Sequence, residues 1–226
     1  MGKRIKEANK LVDKNKAYKL IEAISILKQT PAPKFDESID LSIKLNIDPK
    51  ETSQPVRGSV VLPHGTGKKV RVAVFCKGEH ESKAKEAGAD IVGSDELIDK
   101  VSNGFLDFDV CVATPDMMKE MGKLGRVLGP RGLMPSPKAG TVTNDVAKAI
   151  DEVKAGKVEF RMDKLACINM TVGKRSFSED FISQNATSII NAVIQSRPPQ
   201  VKGRFFKSIS ISTTMGPGIR LDAASF

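Results

Sequence analysis

The chain contains no tryptophan and one tyrosine, Tyr18, so its cores must be built from Ile, Val, Leu and the ten phenylalanines. Its three cysteines, Cys76, Cys111 and Cys167, lie far apart with no close pair. That argues against a disulfide framework and a Cys-rich zinc site, and suits a reducing compartment. Two histidines, His64 and His80, are too few for a His-based metal centre unless carboxylates dominate it. No run of about 18 apolar residues occurs, and residues 1–10 have no apolar signal core. A soluble cytoplasmic protein without membrane contact is therefore expected. Acid is also missing locally: residues 121–144 hold no Asp or Glu.

What is present in excess is positive charge, and it is unevenly placed. The formal net charge is +9, from 36 Lys/Arg and 27 Asp/Glu. Residues 1–67 hold 12 basic against 8 acidic side chains, residues 159–226 hold 9 against 5, and residues 68–158 hold 15 against 14. The cation excess thus sits in the two ends, which implies that they fold together around a nearly neutral insert. A basic module of this kind is the electrostatic footprint of a polyanion partner, although surplus lysine also serves solubility.

Periodicity divides the chain in the same places. Leu20, Ile21, Ile24 and Leu27 predict an amphipathic helix over 16–28, ending before Pro31 and Pro33. Ile39, Leu41, Ile43, Leu45 and Ile47 alternate with polar residues, which predicts a strand. A second strand is expected over 57–62, then a turn over 63–67. From Lys68 the pattern changes to strands at 70–75, 91–92 and 109–114 alternating with helices at 79–88, after Ser94 and after Pro115. This is the rhythm of parallel βαβ units. A helix over 144–155 follows, with Ala147, Ile150 and Val153 inward and Gly156 as its stop. Segments 158–162 and 166–172 then read as a hairpin. Ser178 caps a long helix with Phe181, Ile182, Ile189, Ile190, Val193 and Ile194 inside. The last strand, 205–215, puts Ile209 and Ile211 on one face and Ser208, Ser210, Ser212 and Thr214 on the other. The fold class expected is α/β and α+β in two domains. Residues 1–67 plus 159–226 form a discontinuous α+β domain with an antiparallel sheet. Residues 68–158 form an inserted Rossmann-like α/β domain with a parallel sheet.

Several constellations invite chemistry. The acid-free block from Gly122 to Gly140 is rich in glycine and cations, which favours a phosphate. It contains neither a phosphate-loop G-x-x-x-x-G-K-[ST] nor a dinucleotide G-x-G-x-x-G after a strand. A Pro/Gly-shaped surface loop and an RNA- or partner-facing loop are both open. Gly65-Thr66-Gly67-Lys68 imitates a phosphate loop but has Leu62 where a glycine is needed. Where charge and rhythm change, Gly65 and Gly67, with Lys157 and Val158 at the second crossing, read as a hinge. No nucleophile stands beside a base and no G-x-S-x-G occurs, so no enzyme is expected, and no cofactor or metal. A nucleotide-dependent α/β enzyme using the glycine block and a DNA-binding regulator stand as alternatives. The basic arms carry better binding material. Phe35 shares a face with Ile39 and Leu41, which suits core packing, while an aromatic beside Lys34 at a strand mouth suits stacking on a base. Asp163 and Lys164, and Gly173, Lys174 and Ser176, put cations and a hydroxyl at the ends of the expected hairpin. Thr214, Met215 and Gly216 combine a hydroxyl with a glycine that permits close backbone approach.

These residues also carry a resemblance. Lys34-Phe35-Asp36-Glu37, Val56-Arg57-Gly58, Leu62-Pro63-His64-Gly65, Ala87-Gly88-Ala89-Asp90, Val172-Gly173-Lys174 and Thr214-Met215-Gly216-Pro217 occur in order. Between them runs the block Leu124-Gly125-Arg126-Val127-Leu128-Gly129-Pro130-Arg131-Gly132-Leu133-Met134-Pro135, continued by Pro137-Lys138-Ala139-Gly140-Thr141-Val142. Nearly end to end, the chain closely resembles the bacterial ribosomal protein L-one family of the mobile side stalk. The resemblance implies a two-domain protein, monomeric when free, whose first domain binds a folded segment of large-subunit rRNA. It further implies a role in release of exit-site tRNA and repression of its own message through an rRNA-like mRNA leader. Carried onto this sequence, it implies an rRNA surface of Lys34, Phe35, Ser38, Asp163, Lys164, Gly173, Lys174 and Ser208. Thr214, Met215 and Gly216 would be its centre. From the residue types themselves, the Thr214 hydroxyl is expected to donate or accept a hydrogen bond with RNA, shielded from water by Met215 and Phe35.

Overall fold

The computed structural model describes residues 2–13, 16–48, 56–199, 201 and 203–226. In chain order its elements begin with α1 (Lys3–Lys10), α2 (Leu20–Gln29), β1 (Ser38–Leu45) and β2 (Arg57–Val61). They continue with β3 (Val72–Phe75), α3 (Glu79–Glu86), β4 (Ile91–Gly93), α4 (Asp95–Ser102) and β5 (Val110–Ala113). Next come α5 (Met118–Met121), α6 (Gly125–Leu128), α7 (Val146–Ala155), β6 (Lys157–Arg161) and β7 (Cys167–Lys174). The last are α8 (Glu179–Gln195), β8 (Phe206–Thr213) and β9 (Ile219–Leu221). The chain falls into two compact units, Met1–Gly67 with Glu159–Phe226, and Lys68–Val158.

In the first unit the strands are ordered β7-β1-β8-β9, and every neighbouring pair is antiparallel. Period-two alternation decides which side is core. Ile39, Leu41, Ile43 and Leu45 of β1 are fully buried, as are Ile168 and Val172 of β7 and Ile209 and Ile211 of β8. Helices α2 and α8 pack on this face, supplying Ala23, Ile24 and Leu27, and Ile182, Ala186, Ile189, Ile190 and Val193. The opposite face carries Asp40, Ser42, Lys44, Asn169, Thr171, Ser208, Ser210 and Ser212, none of them buried.

Several local expectations need correction. Helix α2 starts at Leu20 rather than residue 16, because Tyr18 forms a bridge to Leu221. Its N–H donates to Arg220 O and its carbonyl accepts from Asp222 N, both at 2.9 Å, which holds the approach extended. Segments 158–162 and 166–172 are not a hairpin. Strand β6 pairs with β2 in a separate two-stranded sheet, and β7 pairs with β1. The connecting turn causes the divergence: Asp163 Oδ1 accepts from Leu165 N and Cys167 N at 2.8 and 2.7 Å. Ala166 adopts a left-handed φ of 58° there. In α8, capped by Ser178 accepting from Phe181 N, Phe181 and Ile194 are exposed rather than inside. Asn185 takes the inward position instead, fully buried. Helix α1 and the three-residue strand β9 had no counterpart in the periodicity.

The second unit is a parallel sheet of order β4-β3-β5. One face is covered by α3 and α7, through Ala84, Val146, Ala149, Ile150 and Val153 against Val72, Val74 and Val112. The inward set of α7 therefore includes Val146 and Ala149, and Ala147 is only half-buried. The other face packs α4, α5 and α6 on Ala73, Phe75, Cys111 and Ala113. The first part of the glycine block, Gly122–Leu128, is thus helical and packs into this core, while residues 129–136 are turn and irregular, with 129–132 exposed. Met121, Leu124 and Leu128 are buried at helical spacing, and a Cβ on Gly129 would stand 2.5 Å from the Gly125 carbonyl oxygen. Ser94 occupies the N-cap position of α4 but makes no side-chain capping bond.

Candidate nucleic-acid interface

Register brings most of the candidate residues to one end of the antiparallel sheet. Ser38 stands opposite Lys174, and Ile39 stands between Gly173 and Thr213. The end of β8 is tied to the start of β1 by a reciprocal set of bonds. Thr214 N donates to Ser38 O at 3.0 Å, and Ser38 N donates to Thr214 Oγ1 at 3.0 Å. Thr214 Oγ1 also donates to Ser38 O at 3.2 Å. The Thr214 hydroxyl is therefore committed within the chain, with one lone pair left over. Lys174 Nζ donates to Ser38 Oγ at 3.0 Å. Ser176 donates from its N and Oγ to the two Asp36 carboxylate oxygens at 3.2 and 2.8 Å.

Beneath this surface lies a group that sequence reasoning did not single out as functional. Glu37 is 2% exposed. Its Oε1 accepts from Met215 N at 3.0 Å, and its Oε2 accepts from Arg175 Nη1 at 3.0 Å. Arg175 Nη2 donates to Lys28 O at 2.9 Å and also to Thr30 O. A desolvated ion pair adds little net stability, but losing one partner strands a buried charge. Here the pair fixes where the backbone of Met215 lies relative to β1. Glu37 and Arg175 are 138 residues apart, so no local pattern links them.

The apolar members of the cluster face outward. Phe35 and Met215 are each 53% exposed, which removes the core-packing reading of Phe35. Lys34 is exposed and Lys174 half-buried. The two glycines are needed for packing. A Cβ on Gly216 would lie 2.3 Å from Thr213 Oγ1, and one on Gly173 would lie 2.9 Å from the Phe177 ring. Thr213 Oγ1 is itself buried without a hydrogen-bond partner.

Asp163, Lys164 and Ser208 belong elsewhere. Lys44 pairs with Cys167 on one side and with Ser208 on the other, six positions along β1 from Ser38. At about 3.3 Å per residue this places the second group roughly 20 Å from the first. Asp163 is a turn-former whose Oδ1 is occupied by two backbone amides. The sheet face between the groups is polar, with Thr171 Oγ1 donating to Asp40 Oδ1 at 2.7 Å.

The hinge candidates lie in ordered surroundings. Gly65 and Gly67 have φ of 62° and 72°. Asn185 Nδ2 donates to Gly65 O at 2.9 Å, and Asn185 Oδ1 accepts from His64 N at 3.2 Å. The His64 ring stacks on Phe181 at 3.8 Å between centroids. The turn is thereby pinned to α8. Lys157 and Val158 begin β6, and Lys157 Nζ meets Glu152 Oε2 at 2.8 Å, which holds the Glu152 carboxyl below its usual range.

Burial pushes the Cys76 thiol up to about 11 and the Cys111 thiol higher still, so neither is a thiolate at neutral pH. Among the described residues, no group of three or more His, Cys, Asp or Glu could hold a metal ion. No helix of the described residues is long and apolar enough to cross a membrane.

The model of the ribosomal protein L1p/L10e family matches residues 27–217. The chain belongs to this family. It is also 55% identical over 221 residues to the large ribosomal subunit protein uL1 of Kosmotoga olearia, covering 98% of this chain and 96% of that protein. As a member of the family it is a ribosomal protein, a structural constituent of the large subunit in the cytoplasmic ribosome. The matched segment contains the whole cluster from Lys34 to Gly216.

Proposed function

We propose that the unit built from both chain ends binds a folded segment of large-subunit rRNA through the cluster around Ser38 and Thr214. Through that contact the chain forms the mobile side stalk, assists release of deacylated tRNA from the exit site, and represses translation of its own message by gripping an rRNA-like leader. The observation that carries the reading is the Glu37–Met215 bond with its neighbours. It ties the Met215 backbone to the start of β1, next in sequence to Lys34 and Phe35, and both Phe35 and Met215 are half-exposed. Such a surface offers stacking and apolar contact to unpaired bases, cations to phosphates, and hydroxyls to the ribose 2′-OH. The remaining Thr214 lone pair accepts from RNA, while Ser38 already satisfies the hydroxyl's other capacity. Gly65, Gly67, Lys157 and Val158 serve as the two-stranded hinge of the stalk.

Competition at fixed salt tests this. The full chain should hold a structured large-subunit rRNA fragment against excess duplex DNA, since nonspecific charge attraction fades as salt rises. Equal displacement by duplex DNA would refute specific RNA binding and favour the DNA-regulator reading. Specific uptake of a nucleotide by the free protein would revive the phosphate-cradle reading of the glycine block.

A further inference from the structure

A second cationic surface lies at the far end of the same unit. A groove of about 450 Å³ opens between the end of α8, the start of β8 and β9, and three of its cations, Arg204, Lys207 and Arg220, come from separate parts of the sheet edge and its approach. All three are exposed. None of their side chains has an ion-pair partner among the described residues. Asp222 also lines the groove, so its charge is mixed with cations in excess.

The groove is also held in shape. Arg197 Nη2 donates to Val201 O at 2.6 Å and to Gly203 O at 2.9 Å, and its guanidinium lies 5.6 Å from the Phe205 ring centre. Arg197 thus spends its donors on the approach to β8 and fixes the place from which Arg204 departs. Lys207 sits at a bulge: Lys44 pairs with Ser208 and Leu45 with Phe206, so Lys207 is left out of the ladder. A bulge re-aims the side chain it carries.

We infer that this groove is a second RNA-backbone contact, separate from the Thr214 cluster, in which Arg204, Lys207 and Arg220 neutralise phosphates. It presupposes the RNA-binding reading of the unit. Continuity favours RNA over an acidic protein segment. A neighbouring depression shares Lys207, Ser208 and Arg220 with the groove and adds Lys44 and Ser210. From there the hydroxyls of Ser208, Ser210 and Ser212 follow β8 up to Thr214, a track suited to ribose and phosphate along one strand. An acidic peptide would match the cations but leave the hydroxyl row unused.

The test measures affinity of the full chain for a large-subunit rRNA fragment across a range of KCl concentrations. In R204Q/K207Q/R220Q the slope of log K against log salt should become shallower by about three, and in K207Q alone by about one. Lys207 carries no packing role, so the single variant reads the charge even if the triple variant folds poorly. A slope equal to the parent's in K207Q, alongside a shallower slope in K34A, overturns the second contact and leaves the first standing. A parent that fails to bind the fragment at all removes both. Displacement of the RNA by poly-glutamate as readily as by single-stranded RNA of equal charge overturns it in favour of an acidic protein segment.

Discussion

The Glu37 carboxylate accepts the backbone amide of Met215 across 178 residues of sequence, at 3.0 Å and almost out of reach of water. A side chain from the first arm thereby sets the position of a loop in the last. Replacing Glu37 by Gln keeps an acceptor for that amide but leaves the Arg175 guanidinium without a countercharge. The variant should lose about 3–5 kcal/mol in denaturant unfolding. Unaltered stability would show that Arg175 is solvated and that the pair does not organise the loop.

The Thr214 hydroxyl accepts from the Ser38 amide and returns its proton to the Ser38 carbonyl. Thr214→Val should cost about 0.5–1.5 kcal/mol through the lost bonds to Ser38 and weaken binding to the rRNA fragment. Thr214→Ser should restore both. A Val variant that binds as tightly as the parent would dismiss Thr214 from the interface.

Lys34 and Lys174 are expected to act through phosphates. Each alanine replacement should make the salt slope shallower by roughly one, nearly uniformly across RNA sequences. Because Lys174 also donates to Ser38 Oγ, K174A should in addition lower the melting temperature slightly, whereas K34A should not. Identical slopes in the double variant and the parent would exclude phosphate contact.

Replacing Lys68–Val158 by a short linker should leave affinity for the rRNA fragment largely intact, since the cation excess and the whole candidate cluster lie outside that segment. Circular dichroism and fragment binding read the outcome. A shortened chain that is unfolded, or folded but silent, would assign the insert to the binding unit.

Asp109 accepts from Lys68 Nζ at 2.8 Å and from the Arg71 amide at 3.2 Å, and these bonds hold its carboxyl below the ordinary range. A depressed folded-state value means stability that is present above the unfolded value near 4 and lost as pH falls through the depressed one. The gap in melting temperature between the parent and Asp109→Asn should therefore be open at neutral pH and close in acid. A gap independent of pH would show that the carboxylate charge is not involved.

How far the sequence could be read depended on the range of the interaction concerned. The alternation of Ile39 to Leu45 is a local pattern, and it forms a strand with that face buried. Ser178 likewise marks the start of α8 through a bond only three residues long. Pairing choices are another matter. Strand β6 could have turned back on β7, but its partner β2 lies about a hundred residues earlier, and only Asp163 hinted at a turn of its own. The glycine block misleads for the opposite reason. Glycine and proline dominate its composition, yet Met121, Leu124 and Leu128 carry a helical period that places them against the parallel sheet. At the candidate site, Phe35, Lys174 and Thr214 were visible as residue types suited to RNA. Glu37 and Arg175 were not, because an ion pair between arms leaves no mark in either arm alone.

Strand β1 lies between β7 and β8, so both of its edges wait for polypeptide made far later. While the ribosome is still translating residues 68–158, β1 has been synthesised and its backbone donors and acceptors on either side have no strand to meet. Unpaired strand edges of this kind invite association with other chains. The first unit must therefore form late, after a long loop closes, and the nascent chain must be kept apart from its neighbours until residue 213 has emerged.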